Sequence, residues 1–440
     1  MNSYSFLKRV WRMKNKQALF GVLLVGSMAF SLLTGCTNPT RTGESTGETS
    51  ESSTLKIGFL CDITGDFSWY GGIMGTMGKA VVNSINNEGI KGFSKIEVKI
   101  YDTQSDQQKA CDQVYKAKIE DGMDIVWGSW VEAELIPFIE DFASIPYVMN
   151  NPTGLKPLNK NLRWTINPDA TSWDLGIATA EFFKKNGVKT WAITGQGWGE
   201  GWLDAWAEGI KYGLVGTDIA CVWDKEVSPD KVDWTEEIKL WQILEPDALI
   251  IPNPGAGAFS IIEQMKSAGY SPSFIILDPL AGGDYSIISE KLGTDLMLNL
   301  IAPTNSIVES PVWKEFATKH LELDYLPYGY SAEIWDTMHL IKIAAEKIGP
   351  DGVKNPAMFA ESLRNSSYNG AMGHTLGPFR ENGLLQKVTV SFVKCLSGPP
   401  DWTDAVDFHW ETVFITEFTK QLSLDEASLI SPELTERLKK

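Results

Sequence analysis

From residue 55 onward, short apolar runs rich in β-branched residues alternate with longer patterns that have helical spacing. This alternation is typical of parallel sheets built from β-α-β units. In the first half, the pattern predicts strands at 55–61, 96–101, 124–127 and 145–149, and helices at 75–87, 107–120, 133–142 and 173–186. The same alternation then restarts, with strands at 190–194, 219–223, 248–252 and 274–277 and helices at 201–214, 234–244 and 259–268. Two similar halves predict an α/β protein with two lobes.

The first 35 residues follow a different pattern. Five basic side chains, Lys8, Arg9, Arg12, Lys14 and Lys16, precede an apolar run at 18–33. The run has the length of a secretion signal and is short for a membrane-spanning anchor. Its ending, Leu33-Thr34-Gly35-Cys36, resembles the bacterial lipobox, in which the cysteine is lipidated before the signal is removed. We expect a signal peptide at 1–35 and a lipid on Cys36; the alternative is a signal without lipid, with a cysteine there by chance.

The segment that follows the cysteine is polar. Residues 37–54 are mostly Ser, Thr, Gly and Glu and contain no aliphatic side chain. Such a segment cannot bury enough apolar surface to fold, which predicts a disordered tether at 36–54. A flexible coil of this length holds a domain roughly 25 Å from its attachment point. We therefore expect an exported protein that works at the outer face of the bacterial membrane.

Charge and cysteine content exclude several classes. Removing residues 1–35 takes away five positive charges and no negative ones, so the net charge falls from -17 to -22. No Lys/Arg cluster suited to phosphate is present, which argues against a nucleic-acid partner. The remaining cysteines, Cys61, Cys111, Cys221 and Cys395, have no metal spacing, and the four histidines are scattered. We expect buried free thiols, with one disulfide left open, and neither a metal nor another cofactor.

The candidate chemistry lies just after the predicted strands. Aromatic, amide, hydroxyl and carboxylate side chains recur at 64–71, 128–132, 150–153, 196–199, 253–255 and 278–279. Open parallel sheets bind ligands at the carboxyl ends of their strands. The glycine-rich run 195–201 is not a dinucleotide fingerprint, because Glu200 occupies the position of the third glycine. No GxSxG, HExxH or P-loop motif is present, so we expect a binding protein and not an enzyme.

An ordered series of segments resembles the periplasmic leucine/isoleucine/valine-binding protein family. The segments are 56–65, 83–90, 102–106, 145–146, 198–201, 245–248, 264–269, 328–347, 368–370 and 377–379, and together they span 55–396. The resemblance implies a type I clamshell in which each lobe is a mainly parallel sheet flanked by helices, with three hinge crossovers. It implies lobe one at 55–168 and 300–372, and lobe two at 169–299 and 373–440. It also implies a monomer that captures a small-molecule ligand and delivers it to the transmembrane permease subunits of an ABC importer.

The same resemblance implies a set of ligand-binding residues. They are Trp69, Tyr70, Ser129, Trp130, Glu132, Asn151, Thr153, Trp198, Asn253 and Asp278. Asp278 matches the acid that receives the ammonium group of amino-acid ligands. Glu132 stands where those relatives hold the α-carboxylate with a hydroxyl, and two facing carboxylates repel, which argues against a plain α-amino acid.

The aromatic candidates favour a flat or cationic ligand, unless these rings pack the lobes together. Trp173, Trp191, Trp206, Trp223, Trp234 and Trp241 lie within or beside predicted elements, where packing is expected. We predict a small polar solute: an amino acid derivative, an amide or a cationic compound. The alternative function is a ligand-sensing module for a membrane receptor or kinase. The tail from about residue 399 extends past the resemblance and is expected to cross a lobe or the hinge.

Overall fold

Two sheets of mainly parallel strands organise the chain. The computed structural model describes residues 53–129, 133–149, 154–155, 158, 162–196, 201–228, 230–252, 256–277, 300–322, 329–397 and 409–438. The first elements are β1 (Ser53–Cys61), α1 (Ser68–Glu88), β2 (Phe93–Asp102), α2 (Gln107–Tyr115), β3 (Ile125–Gly128), α3 (Leu135–Phe138), β4 (Tyr147–Val148) and β5 (Thr165–Ile166). Helices α2 and α3 each continue into one π-helical turn, Lys116–Glu120 and Ile139–Ala143.

The middle and last parts of the chain carry the remaining elements. These begin with α4 (Ser172–Asn186), β6 (Thr190–Gln196), α5 (Trp202–Gly213), β7 (Ala220–Val227), α6 (Thr235–Leu244), β8 (Ala248–Ile251), α7 (Ala256–Ser267), β9 (Phe274–Leu277) and β10 (Leu300–Thr304). They continue with α8 (Pro311–Glu322), α9 (Gly329–Val353), α10 (Pro356–Arg364), β11 (Tyr368–Asn369), β12 (Thr375–Leu376), β13 (Val388–Ser397), β14 (His409–Phe418), α11 (Leu424–Ile430) and α12 (Pro432–Leu438).

The first sheet is entirely parallel and has the strand order β2-β1-β3-β4-β5. All four residues of β3 are buried, as expected for a strand that is covered on both faces. Helices α1 and α9 pack against each other and against β1. The indole Nε1 of Trp127 donates to Thr337 Oγ1 at 3.2 Å, which ties β3 to α9.

The second sheet has the order β14-β13-β10-β9-β8-β6-β7. Strands β10, β9, β8, β6 and β7 are parallel, whereas β13 and β14 add to the β10 side as antiparallel strands. Successive residues of β8 face opposite ways: Ile250 packs with the core that α4 and α5 cover, and Leu249 packs with Trp234 and Trp241 on the other side. This sheet is therefore also covered on both faces.

Helices α4 and α5 cross at glycines. A Cβ atom on Gly176 would lie 2.3 Å from the carbonyl oxygen of Trp206, and one on Gly209 would lie 2.4 Å from that of Trp173. The backbones can approach this closely only without side chains at these two positions. Helix α4 begins with a capping box between Thr171 and Asp174, which satisfies amide groups of its first turn.

The structure confirms the α/β fold class with mainly parallel sheets flanked by helices. Five of the six tryptophans expected to pack are fully buried, and Trp223 is half-buried. Helix α1 begins two turns earlier than predicted, because the glycines at its start signal a turn in sequence but are helical in the structure. Strands β10, β13 and β14 were absent from the predicted set.

Three cysteines are free thiols. Cys61 and Cys111 are buried as expected, whereas Cys221 is exposed, so the expectation of burial was wrong for this one. Its strand, β7, is at the edge of the second sheet and contains no buried residue. Cys395 lies in β13, and its side chain is outside the described part of the structure.

The expected lobe bounds stay a prediction. The sequence assigned residues from about 300 to lobe one, whereas β10 pairs with β9 and β13 of the second sheet. The chain therefore crosses between the sheets after Thr304. Cys36, the signal region 1–35 and all but the last two residues of the tether lie outside the described residues. No helix among the described residues is both long enough and apolar enough to span a membrane.

Candidate functional site

The loop after β1 positions the first turn of α1. The buried carboxylate of Asp62 accepts hydrogen bonds from Thr103 Oγ1 at 2.7 Å and from the amide of Ser105 at 3.1 Å. Gly71 packs so closely on Asp62 that a Cβ atom there would lie 2.2 Å from the Asp62 carbonyl oxygen. The backbones of Trp69 and Tyr70 are fixed in this first helical turn, at the carboxyl end of β1; their side chains are outside the described part of the structure.

The end of β3 has an unusual backbone. Gly128 and Ser129 both adopt positive φ, 95° and 80°, and a serine in that region is uncommon. The hydroxyl of Tyr147, on the neighbouring strand β4, donates to the Gly128 carbonyl at 2.6 Å and holds this conformation. Ser129, one of the predicted ligand-binding residues, is fully buried at this turn. Strain of this kind is found at ligand sites, where surrounding contacts fix it.

The other predicted ligand-binding residues lie outside the described residues. They are Trp130, Glu132, Asn151, Thr153, Trp198, Asn253 and Asp278. Each follows the carboxyl end of a described parallel strand within a few residues: β3, β4, β6, β8 or β9. Because the strands within each sheet are parallel, their carboxyl ends share one edge of that sheet.

A buried polar cluster, which the sequence did not reveal, lies where the chain crosses between the sheets. Asn305, just after β10, donates through Nδ2 to Asp169 Oδ1 at 3.0 Å and to Glu333 Oε2 at 2.9 Å. Asp169 belongs to the crossover between β5 and α4, and Glu333 belongs to α9. All three side chains are buried. We call Asn305, Asp169 and Glu333 the hinge triad.

The segment after β14 completes this region through Gln421. Gln421 Nε2 donates to the Asp169 carbonyl at 2.7 Å and to Asp174 Oδ2 at 3.0 Å. Its Oε1 accepts from the amide of Leu385 at 3.1 Å and from Asn167 Nδ2 at 3.3 Å. One fully buried side chain thus joins α4, the first crossover and the segment before β13. The C-terminal segment therefore crosses the hinge, as the sequence indicated for the tail.

Burial shapes the electrostatics of this region. It raises the pKa of Asp169 to about 6 and that of Asp336, one turn along α9 from Glu333, to about 8. Burial, reinforced by the negative charge of Asp169, raises the pKa of Glu333 well above its usual range. The backbone amides of Ala371 and Met372 donate to Asp336 and partly oppose its shift.

The described residues provide no other reactive centre. Among them, no group of three or more His, Cys, Asp or Glu side chains could hold a metal ion. Burial raises the pKa of the Cys111 thiol to about 12, which keeps it protonated and unreactive.

Comparison with known proteins agrees with this geometry. The sequence profile of the periplasmic binding protein family matches residues 54–392. No curated protein sequence matches the chain at a significant level.

Solved structures share the fold at low sequence identity. The branched-chain amino acid transporter substrate-binding protein LivJ of Streptococcus pneumoniae, in complex with isoleucine, is 17% identical with a TM-score of 0.67; the match covers 82% of this chain and 99% of that one. The leucine-binding protein LivK of Thermotoga maritima is 18% identical with a TM-score of 0.66, over 81% and 98% of the two chains. An ABC transporter solute-binding protein of R. palustris in complex with benzoate is 14% identical with a TM-score of 0.67, over 82% and 96%.

The family match covers most of the chain, and the two sheets with their crossovers have the two-lobed type I architecture of these structures. The family consists of solute-binding proteins, which are not enzymes. The chain therefore belongs to the periplasmic binding protein family and is an extracytoplasmic solute-binding protein resembling the leucine/isoleucine/valine-binding type.

Proposed function

We propose that this chain is the lipid-anchored solute-binding subunit of an ABC importer. It captures a small polar solute between its lobes and delivers it to transmembrane permease subunits. The observation that carries this proposal is the position of the predicted ligand residues, every one of which follows the carboxyl end of a strand in one of two parallel sheets. In open α/β sheets, ligands bind at that edge.

The solute we propose is an amino acid derivative, an amide or a cationic compound. Related structures hold isoleucine and benzoate, so the fold accepts both amino acids and aromatic acids. Glu132 disfavours a ligand that presents a carboxylate to it, because two unpaired carboxylates repel in a closed cleft. Asp278 favours a ligand that carries an ammonium or amide group.

A thermal-shift screen tests the binding proposal. The panel contains amino acid amides and esters, quaternary ammonium compounds, plain amino acids, benzoate and sugars. A ligand at about a hundred times its dissociation constant adds about 2.7 kcal/mol to the free energy of unfolding. We expect a nitrogen-containing compound to raise the melting temperature. Stabilisation by sugars or benzoate alone would contradict the proposed solute class.

Two matched variants test the site. Asp278→Asn should weaken binding of the compound found in the screen by about tenfold or more, because it removes a charge-assisted hydrogen bond of about 1.5–3 kcal/mol. Asp218→Asn is the control, since Asp218 is exposed just before β7, at the amino ends of the second sheet's parallel strands. Equal affinities of the two variants would remove Asp278 from the site.

The anchor is tested separately. Cys36→Ala should release the exported protein from the membrane fraction into the soluble fraction, because the lipid has no other attachment point in this proposal. Wild-type protein should remain with the membranes and should carry the lipid on its N-terminal cysteine by mass spectrometry. A wild-type N-terminus without lipid would contradict the anchor and leave solute binding unaffected.

A further inference from the structure

The two carboxyl groups of the hinge triad share one amide donor. Asp169 Oδ1 accepts from Asn305 Nδ2 and from the amide of Ala170, at 3.0 and 2.7 Å. Glu333 Oε2 accepts from the second hydrogen of the same Asn305 amide at 2.9 Å. The remaining oxygens, Asp169 Oδ2 and Glu333 Oε1, receive no hydrogen bond from any donor group among the described residues. Two buried carboxyl groups thus meet at one amide nitrogen, and each keeps one oxygen without a donor.

Two buried carboxyl groups at one donor favour the uptake of a proton. Carboxylate oxygens only accept hydrogen bonds, so Asp169 Oδ2 and Glu333 Oε1 can form a hydrogen bond with each other only when one of the two groups is protonated. Glu333 is fully buried and Asp169 is only 3% exposed, so water cannot separate the two charges. Carboxylates that share a buried site in this way cannot both ionise without a large cost.

Among the residues that the structure describes, no group around the pair supplies a neutralising charge. Asp174 on α4 and Asp336 on α9 are the charged side chains that act most strongly on the pair, and both are acidic. Asn305, from the second crossover, and Gln421, from the C-terminal segment, are neutral. His374 contacts the Asn305 carbonyl through Nε2 at 2.6 Å, and burial lowers the pKa of this imidazole, which keeps it neutral.

The pair connects parts of the two lobes. Glu333 is on α9, which packs on α1 and β1 of the first sheet. Asp169 lies three residues before α4, which packs on α5 and on β13 and β14 of the second sheet. Hinge closure changes the backbone angles of crossover residues, so the distance between these two carboxyls depends on the angle between the lobes.

We propose that Asp169 and Glu333 hold one proton between them at neutral pH, and that its release to solvent opens the hinge because two buried carboxylates then face each other. Uptake of the proton removes this repulsion and favours the closed arrangement. By linkage, any solute that closes the lobes also strengthens retention of the proton. The inference rests on the proposed function only in taking the lobes to move.

The test uses the full chain without any solute, so its result is independent of the thermal-shift screen. Infrared spectra in D2O at about pH 7 should show the carbonyl stretch of protonated carboxylic acids, and Glu333→Gln should remove the pair's share of this band while Asp336, whose pKa is also raised by burial, keeps its own share. Small-angle X-ray scattering between about pH 6 and about pH 9 should show the wild-type radius of gyration increasing with pH. Glu333→Gln should keep one radius throughout, because its amide donates permanently to Asp169.

Two further variants keep the test decisive. Asp169→Asn places the amide on the other side of the pair and should give the same pH-independent radius if Glu333→Gln does not fold. Asp336→Asn is the matched control, because Asp336 is a second buried carboxyl on the same helix. It should keep both the pH-dependent radius and the acid band of the pair. Equal pH dependence of the radius in wild type and Glu333→Gln would overturn the proposal. So would an infrared acid band in Asp336→Asn that loses no intensity when Glu333→Gln is added.

Discussion

Replacing Gln421 by alanine should destabilise the protein far more than its position near the C-terminus suggests. The substitution removes four hydrogen bonds, to the Asp169 carbonyl, Asp174, Leu385 and Asn167. Gln421 is fully buried, so its partners lose their hydrogen bonds inside the protein. At about 1 kcal/mol for each bond, the free energy of unfolding should fall by about 4 kcal/mol.

Urea unfolding followed by tryptophan fluorescence measures this loss. A decrease of about 4 kcal/mol should lower the midpoint by about 1 M or more. Gln386→Ala is the matched control: Gln386 is exposed and donates one hydrogen bond, to the Phe379 carbonyl at 3.2 Å. The free energy of unfolding of Gln386→Ala should fall by no more than about 0.5 kcal/mol. If Gln421→Ala lost no more stability than Gln386→Ala, the C-terminal segment would not support the hinge.

Two further predictions concern the packing of lobe two. Arg437→Ala removes hydrogen bonds to Asp204, Glu208 and Asp224. The free energy of unfolding, measured in urea at neutral pH, should fall by about 2 kcal/mol and no more, because Lys211 still pairs with Glu208 and Asp224. Burial alone would raise the pKa of Asp224, but hydrogen bonds from Arg437 and Lys211 hold this pKa below its usual range. The stability that these hydrogen bonds contribute is present above the unfolded-state pKa of an aspartate, about 3.9, and is lost as pH falls through the lower pKa of Asp224 in the folded protein. The difference in free energy of unfolding between wild type and Arg437→Ala should therefore become smaller in acid. A difference that stays constant with pH would contradict this prediction. Gly176→Ala should lower the free energy of unfolding by about 3 kcal/mol, because the new Cβ would lie 2.3 Å from the Trp206 carbonyl oxygen. Gly72→Ala is the control: open space surrounds its Cβ, so the free energy of unfolding should rise by about 0.5–1 kcal/mol. Similar melting temperatures for these two variants would refute the close crossing of α4 and α5.

Local sequence pattern was sufficient for most of the β-α-β units. Strands such as β3 and β8 are short apolar runs that are buried whole, and their helical neighbours have clear periodicity. Strands β13 and β14 were missed because they add antiparallel strands to a parallel sheet, a pairing that no local pattern encodes. The place of β10 in the second sheet likewise depends on partners far away in sequence, Ile275 and Ser391 among them.

The sequence placed the predicted ligand residues after strand ends, but it did not reveal the hinge triad. Ser129 was predicted because it directly follows an obvious strand, and its positive φ is visible only in the structure. Asp169, Asn305 and Glu333 are separated by more than a hundred residues of chain or lie on different elements, and each alone resembles an ordinary polar surface position. Only the fold shows that they are buried together.

The three crossovers also constrain how the protein folds. The Lys91 amide pairs with a carboxylate 255 residues away, and Gln421 reaches back 252 residues to Asp169. The packing around each sheet must wait for late parts of the chain, and contacts of such long range slow folding. The two sheets should therefore unfold in one cooperative transition, and a chain emerging outside the membrane should expose an unfinished sheet edge until β13 and β14 arrive.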